Sequence, residues 1–113
     1  MILHIVAFDL IDSATEDDVA GLSGALEEMA AGLPQLRFYA CGANLRLRDG
    51  GSDFGVVAIL DNRQGLDGYL DGDAHKKVAA DWLSWIVVGR HAVQLELDPA
   101  ALVSTVASFS GQD

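Results

Sequence analysis

ILHIVAFDL, residues 2–10, is apolar at nearly every position. Its two alternating sets are Ile2, His4, Val6 and Phe8 on one side and Leu3, Ile5 and Ala7 on the other. Both avoid water, which is how a strand covered on its two faces reads. DFGVVAIL, residues 53–60, has the same character. Two such strands belong in the middle of a sheet, and the segments around them decide which sheet it is.

SATE, residues 13–16, has capping-box spacing, and Glu16, Asp17 and Asp18 suit the positive end of a helix. Val19, Leu22, Leu26, Met29 and Leu33 then recur every three or four residues, so one apolar stripe runs down a long helix that Gly32 and Pro34 stop. Residues 35–43 read as a second strand, with Leu36, Phe38 and Ala40 on one side and Arg37, Tyr39 and Cys41 on the other. RDGGS, residues 48–52, is turn chemistry, so this strand and residues 53–60 form a hairpin. Residues 62–70 suit a short helix capped by Asn62 or Asp61. Residues 74–86 suit an amphipathic one with His75, Val78, Ala79, Trp82 and Ile86 on one side. Residues 87–97 close the sheet, with His91, Val93, Leu95 and Leu97 on one face and Arg90, Ala92, Gln94 and Glu96 on the other.

The order β-α-β-β-α-α-β predicts an α+β, ferredoxin-like domain over residues 1–98, a four-stranded antiparallel sheet with its helices on one face. The opposite face still carries much apolar surface, and a second copy packed about a two-fold axis is the economical cover. A homodimer is therefore expected. Residues 99–113 form a tail in which Leu102, Val103, Val106 and Phe109 have the spacing of a short helix.

Seventeen acidic residues against seven basic ones give a formal charge of −10 in 113 residues. That charge repels phosphates and anionic bilayers, and it disfavours nucleic acid and membrane surfaces as partners. The single cysteine, Cys41, makes no intramolecular disulfide, which suits a reducing cytoplasm. The apolar opening lacks a basic n-region and is too short to span a bilayer, so it reads as a strand and the expected location is cytoplasmic. Neither a P-loop nor a Rossmann glycine pattern, a Ser-His-Asp arrangement or a CxxC is present, and no cofactor is expected. His4, His75 and His91 fall on three separate elements without a paired spacing, so no metal site is expected, although Asp71 and Asp73 lie near His75 in sequence.

Within GYLDGDAH, residues 68–75, Tyr69 precedes His75 by six positions across a polar turn. A partly buried imidazole beside a phenol is what proton abstraction next to a carbonyl requires: a base titrating near neutrality and a donor for the developing enolate. Each residue also has a structural reading. His75 serves equally as a packing histidine bonded to a backbone carbonyl, His4 as a satisfied core residue, and Tyr69 as a core ring with its hydroxyl at a polar edge. Arg37 and Tyr39, on one strand face, fit the dimer side. Trp82 and Trp85 fit helix packing, with Trp82 as a ligand wall. Asp73 suits either orienting His75 or capping its helix.

HIVAF at residues 4–8, the capped helix, the DFGVVAIL strand, and LDGY at 66–69 followed by Ala74-His75 together resemble the stress-responsive dimeric α/β-barrel (Dabb) family over residues 1–98. Members typically open with H-x-V-x-F and carry a tyrosine followed by H-P-x-H before the last helix. The resemblance implies two ferredoxin-like sheets packed into a barrel across a dimer interface. In the branch resembling olivetolic acid cyclase-type polyketide cyclases, the final histidine acts as base and the preceding tyrosine positions and polarises the substrate. A histidine on the first strand lies nearby. Those roles fall on His75, Tyr69 and His4, with Val6, Phe8 and Trp82 completing a substrate-binding wall. Where the family shows H-P-x-H this chain has GDAH, residues 72–75, so only the final histidine remains.

Three functions are compatible with these features. The first is binding of, or chemistry on, a small carbonyl-bearing or aromatic molecule. The second is a non-catalytic, stress-associated homo-oligomer in which the same residues are core. The third is a cofactorless monooxygenase-like barrel.

Overall fold

The structure is a computed structural model that describes residues 1–100; the tail helix expected around Leu102 to Phe109 lies outside the described residues. The elements are β1 (Ile2–Leu10), α1 (Glu16–Ala31), β2 (Leu36–Ala43), β3 (Phe54–Leu60), α2 (Arg63–Asp71), α3 (Asp73–Val78), a π-helical turn (Ala79–Leu83), α4 (Ser84–Ile86) and β4 (Val87–Glu96). The sheet is antiparallel throughout, in the order β2-β3-β1-β4. β1 and β3 are the inner strands, as their two-sided apolar character requires. No helix among the described residues is long and apolar enough to cross a membrane.

Burial alternates strictly along both inner strands. Ile2, His4, Val6, Phe8 and Leu10 point to the helices, and the first four pair in register with Leu60, Ala58, Val56 and Phe54 of β3. Leu22, Leu26 and Met29 of α1 close over them, joined by Tyr69, Val78 and Ile86. The other face presents Leu3, Ile5, Val57 and Ile59 half-buried, flanked by exposed Phe38, Val93 and Leu95.

Local chemistry departs from the sequence expectation at three places. The capping box is Thr15–Asp18, two residues later than the spacing of 13–16 suggests. The Asp18 amide donates to Thr15 Oγ1 and the Thr15 amide to Asp18 Oδ2, both at 3.0 Å. Residues before it are held in a turn, where the Ala14 amide donates to the Ile11 carbonyl and the Ile11 amide to that of Ile86, so the helix starts only after Ala14.

In β2, the register slips between Leu36 and Phe38, so Arg37 is an extra residue. Leu36 therefore shares the helix-facing side with Tyr39 and Cys41, opposite Leu60, Ala58 and Val56, while Phe38 turns outward. Tyr39 consequently does not line the dimer side as expected, and it does not share a face with Arg37, whose guanidinium makes a two-pronged, exposed pair with Asp61 at 2.9 and 2.6 Å. Cys41 is half-buried beside Ser23 of α1, 3.8 Å away, so its shielding comes from its own subunit.

The single apolar stripe expected over 74–86 divides at the π-helical turn, where the backbone takes one residue more than an α-turn. Val78 and Trp82 pack toward α1, whereas His75, Ala79 and Leu83 turn the other way. Ser84 Oγ and Trp85 Nε1 donate to the carbonyls of Ala80 and Asp81 at 2.7 and 2.9 Å, which satisfies groups that a change of helical pitch frees.

Candidate active site

A cavity of about 480 Å³ opens between the helix-facing side of the sheet and the helices α2 to α4. That is within the range of small-molecule sites. Its floor is His4, Val6 and Phe8 of β1 with Val56 of β3. Tyr69, Leu70, His75, Ala79, Leu83 and Ser84 form the helical wall, and Leu26, Tyr39, Val87 and Arg90 complete it. Of the residues singled out in the sequence, His4, Val6, Phe8, Tyr69 and His75 converge here. Trp82 does not: it lines a separate depression with Ala25, Met29 and Val78, because its ring lies where α1 has no side chain, at Gly21.

Three rings surround that of Tyr69 in the cavity. The Tyr69 ring meets His75 edge-on with centroids 5.1 Å apart, and it meets His4 in the same manner at 6.3 Å. Tyr39 approaches Tyr69 from the other side, at 6.4 Å. The turn between α2 and α3 sets this convergence. At Gly72, the extended residue that joins the two helices, a Cβ would stand 2.7 Å from the Gly68 carbonyl oxygen, so a side chain there would force the junction to shift.

His4 is buried, and its Nδ1 lies 2.9 Å from Nε2 of Gln94 on β4. With the Gln94 amide donating, Nδ1 is the acceptor and the ring proton stays on Nε2. Burial lowers the His4 pKa, and the charges of Arg90 and His75 lower it further. His75 is half-buried and is lowered chiefly by burial and then by Arg90, with Asp71 acting in the opposite direction. Both imidazoles are therefore neutral near pH 7, and the neutral form is the one that accepts a proton.

Asp73, expected either to orient His75 or to cap its helix, does neither. It is the first residue of α3, Gly72 is the N-cap, and no side-chain cap bond forms there. Asp71 is the carboxylate whose charge acts on His75.

Burial raises the pKa of both Tyr39 and Tyr69, so each phenol is a proton donor at neutral pH. Burial is the main cause in each case, and each phenol also perturbs the other's titration. The Tyr39 hydroxyl is left buried without a partner. His91, the third histidine, lies on the outer face and contacts Asp9 at 3.2 Å, away from the cavity. Among the described residues no three His, Cys, Asp or Glu side chains group as a metal site would need.

Two cavity residues were not legible as such in the sequence. Strict alternation puts Tyr39 on the outer face, and the bulge at Arg37, which has no composition signature, turns it inward. Arg90 shares a face of β4 with Ala92 and Gln94, and pairing of that strand beside β1 opposite Phe8 brings Arg90 to the cavity. A polar face on an otherwise apolar sheet is the signal that points to such a residue.

The family model described as the stress responsive A/B barrel domain matches residues 2–96. An uncharacterized protein of Streptomyces coelicolor is 30% identical over 92 residues, covering 77% of this chain and 95% of that one. A dimeric ferredoxin-like protein of unknown function from Thermobifida fusca is 38% identical, with a TM-score of 0.78 over 85% of this chain and 90% of that chain. A hydroxynitrile lyase from Passiflora edulis superposes with a TM-score of 0.74 over 87% of this chain and 94% of its own. At 9% identity that likeness is one of fold alone. The matched span contains all four strands and the helices between them, and the chain belongs to the stress-responsive α/β-barrel (Dabb) family.

Proposed function

We propose that this protein is a homodimeric barrel whose cavity binds a small carbonyl-bearing or aromatic molecule and removes a proton adjacent to its carbonyl. His75 is the base, Tyr69 the hydrogen-bond donor to the oxygen on which charge develops, and His4 the neighbouring polar contact. The observation that carries this reading is the edge-on contact of Tyr69 with both His75 and His4 inside a mostly apolar cavity.

Neutral His75 has a free electron pair for the α-proton. A protonated phenol stabilises the enolate without first having to give up its own proton. The step leaves an enolate, met by the Tyr69 hydroxyl, and an imidazolium on His75. An aldol-type ring closure of a linear poly-ketone, the reaction of the polyketide-cyclase-like branch, begins with this step.

The dimer follows from the outer sheet face. Leu3, Ile5, Val57 and Ile59, framed by Phe38, Val93 and Leu95, form an apolar surface of the kind a monomer rarely leaves open. The dimeric relative from Thermobifida fusca, alike over most of its length, supports a two-fold partner.

A thermal-shift screen of the wild type and His75→Ala against phenols, β-keto compounds, flavin and divalent metals tests the reading. A ligand present at one hundred times its dissociation constant adds roughly 2.7 kcal/mol, several degrees in a domain of this size. A carbonyl or phenolic ligand that stabilises the wild type and loses that effect in His75→Ala is the expected result. Absence of any shift, with His75→Ala merely less stable, would identify the histidine as core and the protein as a non-catalytic assembly.

A further inference from the structure

The lining of the cavity carries one formal charge. Its histidines are neutral, its tyrosines are protonated, and none of its residues is an aspartate or glutamate; the exception is Arg90. This is unusual placement in a chain with seventeen acidic residues and seven basic ones. Arg37, Arg46 and Lys77 pair with Asp61, Asp53 and Asp81, and of the four bases without an ion pair among the described residues, Arg48, Arg63, Lys76 and Arg90, the last alone lines the cavity. Arg90 has no carboxylate within ion-pairing distance among the described residues, although its charge is felt by His4, His75 and Tyr69. Asp71, the one acid that acts on His75, is exposed and outside the lining.

A guanidinium presented to an apolar cavity without a counter-ion destabilises both imidazolium forms. It also offers a planar fork of donors that matches a carboxylate in two parallel hydrogen bonds. A second, independent feature lies in the same cavity: the buried Tyr39 hydroxyl has no partner. Buried polar groups are nearly always bonded, and an orphan that lines a cavity is explained by a ligand atom that completes it. Arg90 is exposed and therefore lies at the rim, whereas the Tyr39 oxygen is shut away from solvent. The two features thus call for one molecule with an anionic end and a polar, uncharged end joined by an apolar body.

We infer that the cavity takes a carboxylate-bearing aromatic or ketonic ligand, its carboxylate paired with Arg90 at the rim and its uncharged hydroxyl or carbonyl hydrogen-bonded by Tyr39. The inference rests on the cavity being a binding site, and it adds the charge and orientation of what binds. It orients the ligand so that the segment between its two ends, which in a ketonic ligand carries the carbonyl that Tyr69 and His75 address, lies against Val6, Phe8 and Leu83.

The test uses 4-hydroxybenzoate and its neutral counterpart 4-hydroxybenzamide, titrated calorimetrically at low ionic strength into the full-length wild type, Arg90→Gln, Arg90→Lys and Tyr39→Phe. The wild type is expected to bind the benzoate at least about tenfold more tightly than the benzamide. Arg90→Gln should abolish that preference by weakening benzoate far more than benzamide, while Arg90→Lys should keep part of it as a point charge without the fork. Tyr39→Phe should weaken both probes together. Arg90 is exposed, so its two variants retain the fold, and circular dichroism verifies this for all three.

Equal affinity for the two probes in the wild type, a preference that survives Arg90→Gln, or no binding of either at millimolar concentration would overturn the inference. Its failure is separable from that of the base role. Benzoate selectivity through Arg90 without any effect of His75→Gln on proton transfer removes the base and keeps the anion site. Proton transfer that depends on His75 but has no preference for carboxylates removes the anion site alone.

Discussion

Tyr69 and His75 lie on consecutive helices, six residues apart in sequence, and meet edge to face with centroids 5.1 Å apart and planes at 78°. The two helices join at Gly72, where an added Cβ would stand 2.7 Å from the Gly68 carbonyl oxygen. Gly72→Ala should therefore cost about 1–3 kcal/mol, the usual range for overpacking, and should separate the two rings. Urea unfolding checks the first effect, and the ring-current shift of the His75 imidazole protons checks the second. A variant of unchanged stability and unchanged shift would show that the turn has slack.

The titration of the two cavity histidines gives a second prediction. Both have folded pKa values lowered from 6.5, chiefly by burial, and Arg90 contributes in each case. The unfolded chain then binds more protons than the folded one as pH falls below about 6.5, so stability rises with pH through that region. This contribution is fully present above about pH 6.5 and declines below it, until the folded pKa values are passed. Imidazole resonances followed by NMR should titrate below 6.5 in the wild type and move upward in Arg90→Gln, with a shallower fall in stability between pH 7 and 5. Histidines titrating at or above 6.5 would contradict the description of the cavity as desolvated.

Tyr39→Phe isolates the unpartnered hydroxyl. Replacing a buried polar atom that has no hydrogen bond removes a desolvation cost, on the order of 1 kcal/mol, without breaking any bond. The variant should be at least as stable as the wild type in denaturant unfolding. A clear loss of stability would mean that the hydroxyl has a partner in solution.

The outer sheet face provides a fourth prediction. Replacing Val93 and Leu95, both 47% exposed on β4, with aspartate places charge on the apolar surface assigned to the two-fold contact. Sedimentation velocity should show a dimer for the wild type and a monomer for the double variant. A dimer that persists would place the contact elsewhere.

The sheet was legible because its decisive signal is local. ILHIVAFDL and FGVVAIL lack a polar side, and only an inner strand tolerates that. The stripe from Val19 to Leu33 was legible for the same reason, being a repeat within one helix. What escaped were features set by register or pitch. The bulge at Arg37 decides which way Tyr39 points, and the π-helical turn at Ala79–Leu83 separates Trp82 from His75, yet neither depends on residue type. Arg90 enters the cavity through the pairing of β4 with β1, a contact between opposite ends of the chain. His4, Tyr69 and His75 could be singled out because polar rings are conspicuous in an apolar strand and a short turn. Their mutual contact required the fold.

The central claim is that His75 removes a proton adjacent to a carbonyl while Tyr69 donates to the oxygen. The most direct measurement is deuterium incorporation from D2O into the methylene group of 4-hydroxyphenylacetone, followed by proton NMR with the wild type, His75→Gln and Tyr69→Phe. The account predicts exchange above the buffer rate with the wild type. His75→Gln should lose it, and Tyr69→Phe should reduce it by roughly 10²-fold or more, as loss of one oxyanion donor does. Exchange equal to the buffer rate with the wild type, or equal rates in wild type and His75→Gln, would contradict it.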